Sequence, residues 1–251
     1  MKLLICISYY HYVDGRTYTL VHNTIANIIK NYDCILKIVV HTNSEQGKQA
    51  IISNFQDVLV IVCSQLQHPF SLTLQHRQYM HDNIDAYDTF MYIEDDMIVS
   101  YQALCNYLNN FNVLWPHYVP SFLRFEMRGE ELYTTDITTR HSMHGNVMTI
   151  AGKDYYNFNK LYCGCWAITK DILKQLLDVL ISPIPLHPLP RETAASFVNR
   201  QLQKPCLVEV HYVDTKLHVN NLSLIYHSSN IYVNNIKEPW AKLNVKDIFI
   251  K

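Results

Sequence analysis

The feature that most constrains this chain is an alternation along its first hundred residues. Short apolar runs alternate there with segments whose apolar residues recur at helical spacing. Leu3 to Ser8, Ile35 to Val40, Val58 to Cys63 and Thr89 to Ile93 read as strands. The runs are continuous and rich in β-branched residues, as in strands covered on both faces. Thr17 to Lys30 carries apolar residues at helical spacing, and Ser71 to Ala86 reads as a polar-faced helix with Ser71 as its N-cap. Strand–helix alternation of this kind predicts a parallel, doubly wound α/β sheet.

The pattern then changes. Ser100 is placed to cap a helix running to about Asn110, followed by strand-like runs at Tyr118 to Phe125 and Glu131 to Ile137, then a polar loop. Leu161 to Ile168 is dense and apolar. The helix after it, Lys170 to Ile181, gathers Ile172, Leu173, Leu176, Leu177 and Leu180 into one stripe. Pro183, Pro185, Pro188 and Pro190 make an extended loop. A short helix is expected over Glu192 to Gln203, with strands near Leu207 to Val213 and Leu222 to Tyr226, and the tail beyond Asn230 has no clear period. The change near residue 99 divides the chain into an expected ligand-binding half, 1–99, and a second half, 100–251, that completes the site.

Composition narrows the function classes. Of 251 residues, 49% are hydrophobic and 17% charged, which is a chain with a substantial core rather than a disordered one. A formal net charge of −1 excludes a global basic field, so no nucleic-acid partner is expected. The 6 glycines form no G-x-G-x-x-G, G-x-x-x-x-G-K-[ST] or G-x-S-x-G motif, which removes glycine-built nucleotide loops and the hydrolase elbow. The 7 cysteines are odd in number and scattered, and most lie in apolar runs, so free thiols in a reducing, cytoplasmic compartment are expected. Cys163-Gly164-Cys165 has no second cysteine pair beside it and reads as neighbours in a strand. The apolar N-terminal run is too short for a signal peptide, and no stretch reaches the length of a membrane span.

The segment richest in chemistry is Tyr92-Ile93-Glu94-Asp95-Asp96-Met97. Three consecutive carboxylates end a buried strand, and in open α/β sheets ligands bind just outside the carboxyl ends of strands. Clustered carboxylates repel one another unless a cation compensates. Hard oxygen donors suit Mg²⁺ or Mn²⁺, ions that keep positions open for substrate phosphates. The plain alternative is an acidic strand-end loop in water.

Here the sequence resembles the GT-A glycosyltransferase superfamily, in which a D-x-D-type motif at a strand end ligates the metal that bridges a nucleotide-sugar diphosphate. Glu94-Asp95-Asp96 is similar to the E-D-D variant of that motif. The resemblance implies a Rossmann-like half with a mostly parallel central sheet that binds the nucleotide-sugar, fused to a smaller acceptor-binding half. It implies Asp96 as the metal ligand, with Glu94 shared between metal and donor, and Asp95 near sugar and ribose.

Further landmarks follow in order along the chain. Arg77, one helix upstream of the carboxylates, is the basic residue placed to face a diphosphate. Gly164, in Leu161-Tyr162-Cys163-Gly164-Cys165-Trp166, matches the small residue that lets backbone approach the donor sugar. Glu192, at a loop-to-helix junction, matches the general base of inverting members. The family commonly shows an acidic pair there, and this chain has only Glu192, between Arg191 and Thr193. His227 matches a C-terminal histidine ligand, with His218 as its rival. Ser8 and Tyr10 after the first strand, and Thr42 after the second, are positioned for further donor contacts. Arg124 and Glu126 face donor or acceptor, or form a strand-edge ion pair.

The implied activity is metal-dependent transfer of a sugar from a nucleoside-diphosphate sugar to a hydroxyl of a glycan or other acceptor, with Glu192 as base in an inverting reaction. Three readings stand beside it: a retaining transferase, a sugar nucleotidyltransferase, and a non-catalytic carbohydrate-binding protein.

Overall fold

The computed structural model describes residues 1–12, 17–137, 146–158, 161, 164–182, 202–235, 237 and 239–249. In chain order its elements are β1 (Lys2–Tyr9), α1 (Tyr18–Asn31), β2 (Ile35–Thr42), α2 (Glu45–Ile52), β3 (Leu59–Val62), α3 (His76–Asp82), β4 (Thr89–Glu94), β5 (Met97–Ile98), α4 (Tyr101–Leu114), β6 (Val119–Pro120), β7 (Leu123–Arg128), β8 (Glu131–Thr134), β9 (Val147–Ile150), β10 (Lys153–Asn157), β11 (Cys165–Thr169), α5 (Lys170–Gln175), α6 (Leu177–Ile181), β12 (Cys206–Val213), β13 (Lys216–Val219), β14 (Leu224–His227) and β15 (Leu243–Asn244).

The chain forms two compact units, Met1–Met97 with Gly164–Leu202, and Ile98–Cys163 with Gln203–Lys251. The chain first crosses between the units after Met97 and later returns to the first unit to add β11 and the helices after it.

The first unit is built on a sheet of order β11-β4-β1-β2-β3. β1 pairs parallel with both β2 and β4, β2 pairs parallel with β3, and β11 runs antiparallel along β4. This is the mostly parallel α/β sheet that the apolar runs predict. β1 is buried at every position but its first, and β4 at all six. α1 covers the sheet with Val21, Ile25 and Ile28, a stripe at helical spacing.

Several elements depart from the sequence reading. Ser71 caps no helix. Pro69 opens a 3-10 turn over Pro69–Leu74, His68 caps that turn by accepting from the Phe70 N–H, and α3 begins only at His76. The helix expected from Lys170 to Ile181 breaks at Leu176 (φ −114°, ψ 9°). The apolar stripe survives the break because Ile172, Leu173, Leu176 and Leu180 stay buried. The run from Tyr118 to Phe125 divides into β6 and β7. The helix expected at Glu192 to Gln203 lies outside the described residues but for its last two positions.

The second unit holds two sheet paths. β13-β12-β10-β9 is antiparallel, with β6 alongside β12, and β15-β8-β7-β14 includes a parallel β14–β7 pair. β9 and β10 occupy part of what reads as a polar loop. Their turn, Ala151-Gly152, has two left-handed residues (φ 50° and 79°), the geometry of a tight hairpin.

A polar cluster ties α4 to β12. Glu209 accepts from Asn106 (2.9 Å), Asn110 (2.7 Å), Asn220 (2.9 Å) and the Lys153 ammonium (3.2 Å). Burial pushes the Glu209 carboxyl up, but the Asn110, Asn106 and Lys153 contacts together outweigh it and hold the carboxyl below its usual range. The stabilisation is therefore complete above the unfolded carboxyl value near ~4.3 and is lost as pH falls through the lower folded value. Glu209→Gln is expected to cost about 2 kcal/mol at pH 7. Urea unfolding of both proteins down to pH 3 should show that gap closing. A gap constant with pH would mean the carboxylate charge contributes nothing.

Candidate functional site

β1 and β4 are register partners, Ser8 opposite Glu94, so both strands end at the same level. Two successive parallel strands thus deliver their carboxyl ends to one place. A cavity of about 200 Å³ opens there, lined by Ser8, Tyr10, Tyr12, Thr17, Pro69, Phe70, Leu72, Thr73, Glu94, Asp95 and Asp96. Ser8, Tyr10, Glu94, Asp95 and Asp96, separated by up to 88 positions in the chain, all line this cavity.

The lining holds two chemically different groups of side chains. One is the carboxylate run, with Glu94 buried and Asp95 and Asp96 half-buried. The other is aromatic. Tyr10 and Tyr12 lie with ring centroids 4.9 Å apart, and Phe70 projects from the 3-10 turn with 41% of its surface exposed. The Ser8 hydroxyl donates to the Leu72 carbonyl (3.3 Å), which fixes that turn against β1. No described lining residue is cationic.

The carboxylates are held from behind. The Thr24 hydroxyl, on the buried face of α1, lies 2.9 Å from the Asp95 carbonyl and 3.2 Å from that of Met97. A threonine inside a helix signals nothing in sequence, so Thr24 escapes sequence reasoning. Thr24→Val keeps the shape and removes the donor. It is expected to cost about 1–2 kcal/mol of stability in urea unfolding, with the main-chain trace of α1 unchanged. No measurable loss would show that the turn holds its place without Thr24.

Glu94 is seated on Gly164. The Glu94 N–H donates to the Gly164 carbonyl at 2.8 Å, and a Cβ built on Gly164 would stand 2.3 Å from Glu94 Oε2. Gly164 therefore acts on the site by making room for a carboxylate. The loops after β1 and β2 are stitched together as well. The His11 N–H donates to Asn43 Oδ1 (2.7 Å), and Asn43 Nδ2 donates back to the His11 carbonyl (3.2 Å).

Other expected site residues lie elsewhere. Thr42 is fully buried, lines no part of the cavity, and stands where a Cβ on Gly47 would meet its hydroxyl at 2.4 Å. Arg77 is buried in α3 and donates to the Leu180 carbonyl at 3.4 Å, tying α3 to α6. Burial lowers its guanidinium to about 10, with Tyr92 acting the other way, so it stays cationic at neutral pH. Beside it His76 is fully buried and stacks on Tyr92 at 4.1 Å, and burial, then the Arg77 charge, holds its imidazole well below the usual range.

Glu192 lies outside the described residues. His227 belongs to the second unit, where it is buried with Nδ1 2.6 Å from Glu126 Oε1. Glu126 also accepts from the Tyr232 and Val233 N–H groups. Arg124 pairs with Asp136 (2.6 Å) rather than with Glu126, and burial pushes the Asp136 carboxyl up against the pull of Arg124. His218, the rival histidine, pairs with His211 in the second unit.

As a donor set, Glu94, Asp95 and Asp96 with the neighbouring hydroxyls are hard oxygen throughout and fit Mg²⁺ or Mn²⁺ in chemistry. Among the described residues, no three His, Cys, Asp or Glu side chains converge into a formed metal cage. The six described cysteines are free thiols, and no described helix is long and apolar enough to cross a membrane.

No family model and no curated protein sequence matches this chain. Among solved structures it is similar to a CMP:2-keto-3-deoxy-manno-octonic acid synthetase complexed with CTP (12% identity, 86% of this chain and 94% of that one, TM-score 0.48). It is also similar to a protein from Thermus thermophilus described as a mannose-1-phosphate geranyltransferase (10%, 83% and 74%, TM-score 0.47). A mannosyltransferase from Pyrobaculum calidifontis in complex with GDP-mannose and Mn²⁺ is similar over a shorter span (11%, 49% and 35%, TM-score 0.35). The fold is defined by its strand order and register, and the candidate site by the cavity at the carboxyl ends of β1 and β4.

Proposed function

We propose that the protein is a divalent-metal-dependent glycosyltransferase, moving a sugar from a nucleoside-diphosphate sugar to a hydroxyl of a glycan or other acceptor. One observation carries this reading: β4 brings three carboxylates to a cavity, at the carboxyl ends of β1 and β4, whose lining also holds Tyr10, Tyr12 and Phe70. An anionic diphosphate is repelled by these carboxylates unless a metal lies between them. The aromatic side chains offer faces on which a planar base stacks.

In this reading Asp96 ligates the metal with Glu94, Asp95 faces sugar and ribose, and Tyr10 and Ser8 bind the nucleoside. A bound divalent ion supplies charge neutralisation for the departing diphosphate. The acceptor oxygen bonds to the anomeric carbon as the bond to the diphosphate oxygen breaks, and Glu192 takes the acceptor proton. His227 is a further proposed ligand: Glu126 orients the ring at Nδ1, and Nε2, 3.1 Å from the Ser229 hydroxyl, would exchange that contact for the metal. Arg77 is the proposed basic residue on the diphosphate side, and its contact to the Leu180 carbonyl anchors α3.

The test is thermal unfolding with UDP, GDP, CDP and dTDP, each with and without Mn²⁺, followed by product analysis with the matching sugar nucleotide. One diphosphate at a hundredfold its Kd should stabilise by about 2.7 kcal/mol, only with metal present. For a chain of this size that is a rise of roughly 5–10 °C. Release of nucleoside diphosphate supports sugar transfer, whereas release of pyrophosphate from a nucleoside triphosphate moves the assignment to nucleotidyl transfer. No response to any nucleotide with metal present would remove the donor site.

A further inference from the structure

The second unit carries a cavity that the proposed reaction does not use. It measures about 250 Å³ and is lined by Leu132, Val213, Val219, Leu224 and Val245 with His211, His218, Asn221 and Lys246. β12 and β13 place His211 and His218 directly opposite each other in register, which puts both rings on one face of the hairpin. The hairpin turn, Asp214-Thr215, has both residues left-handed (φ 45° and 70°), the conformation that fixes a two-residue turn and so this register.

Every polar side chain at this cavity can donate a hydrogen bond. An imidazole presents at least one N–H donor in either tautomer, an ammonium presents three, and an amide two. No hydrogen bond or ion pair engages the side chains of His211, His218, Asn221 or Lys246 among the described residues. None of the described lining residues is acidic. The two imidazole planes lie 26° apart with centroids separated by 6.1 Å. Among the described residues no third His, Cys, Asp or Glu joins the pair, and two ligands fall short of a protein metal site. The remaining wall is aliphatic.

We propose that this cavity binds a small amphipathic anion. Its phosphate or carboxylate head is held by Lys246, His211, His218 and Asn221, and its apolar body lies against Leu132, Val213, Val219, Leu224 and Val245. Donors without an acid among them select an anion, and the ammonium supplies a charge-assisted bond. The aliphatic wall selects a ligand with an apolar body over a free inorganic ion. The inference stands whether or not the first unit transfers sugars, because every lining residue belongs to the second unit.

The experiment is a titration of the full chain with hexyl phosphate, hexanoate, inorganic phosphate and hexanol, following the assigned His211 and His218 ring protons by NMR. The background is Asp96→Ala, which disables the proposed donor site. Hexyl phosphate or hexanoate should shift both histidines saturably, and the tighter of the two names the head group. Inorganic phosphate and hexanol should bind at least about tenfold more weakly. Lys246→Ala and His218→Ala should each weaken the alkyl anion about tenfold or more, and Lys246→Arg should retain most of the affinity. Unshifted histidine signals at saturating anion, undiminished binding in Lys246→Ala, or equal binding of hexanol would each overturn the proposal.

Discussion

Asp96→Asn is expected to lower sugar transfer at least about a hundredfold, which is a loss of roughly 2.7 kcal/mol of transition-state stabilisation. The same change should remove the Mn²⁺-dependent stabilisation by nucleoside diphosphate. Asparagine keeps the size of the side chain and removes its charge, so the result isolates the electrostatic role. Asp96 is half-buried beside Asp95 and the buried Glu94 at the cavity. Adjacent carboxylates repel one another, and asparagine at 96 relieves part of that repulsion. Without ligand the variant should therefore unfold at the wild-type temperature or slightly above it, by up to about 1 kcal/mol. Loss of function with equal or greater stability marks residues kept for a ligand. Turnover, Mn²⁺ titration and unfolding without ligand should be measured on the same preparation. Full activity in Asp96→Asn sinks the metal reading, and a drop in stability of several kcal/mol would assign Asp96 to the fold.

What the sequence displays and what it conceals divide along physical lines. β1, β2, β3 and β4 are legible because a parallel sheet covered on both faces needs continuous apolar runs, and Leu3 to Ser8 or Thr89 to Ile93 admit few other uses. The carboxylate run is legible because three adjacent acids at the end of such a strand conflict with burial. The β9–β10 hairpin is not legible. Its turn is Ala151-Gly152, with a residue that ordinarily avoids the left-handed region, and β9 is only partly buried. The helix through Ser71 reads as one piece because polar spacing does not distinguish a 3-10 turn from an α-turn, and Pro69 and the His68 cap decide it. Thr42 and Arg77 are both buried, Thr42 where a Cβ on Gly47 would meet its hydroxyl and Arg77 donating to the Leu180 carbonyl. Chain order sets the level of a residue in the sheet, and only packing decides whether its side chain meets solvent. Thr24 and Glu209 show the converse, since Thr24 reaches the Asp95 carbonyl 71 positions away and Glu209 accepts from Asn110 and Asn106, 99 and 103 positions away, which no local pattern announces.

Gly164→Ala should impair the site while leaving the fold nearly intact. The added methyl carbon would stand 2.3 Å from Glu94 Oε2, 2.8 Å from its Cδ and 3.1 Å from its Cγ. Gly164 lies outside the left-handed region, so the requirement here is for space and not for backbone freedom. The backbone cannot easily give way. β11 is held in register along β4, with Cys165 opposite Ile93, and the Glu94 N–H is bonded to the Gly164 carbonyl. The Glu94 side chain is the softer partner, and it must leave its seat. Stability should fall by no more than about 1–2 kcal/mol, whereas nucleotide affinity and turnover should fall about tenfold to a hundredfold, because a carboxylate displaced by an ångström no longer meets its ligand. The decisive comparison is the double variant. Once Glu94→Ala has removed the carboxylate, adding Gly164→Ala has nothing left to displace and should cost little more, so the two effects should be strongly non-additive. Additive losses would show that Gly164 serves the strand itself or an acceptor-side contact. An unchanged single variant would show that Glu94 moves at no cost, and its buried seat would then have no part in the chemistry.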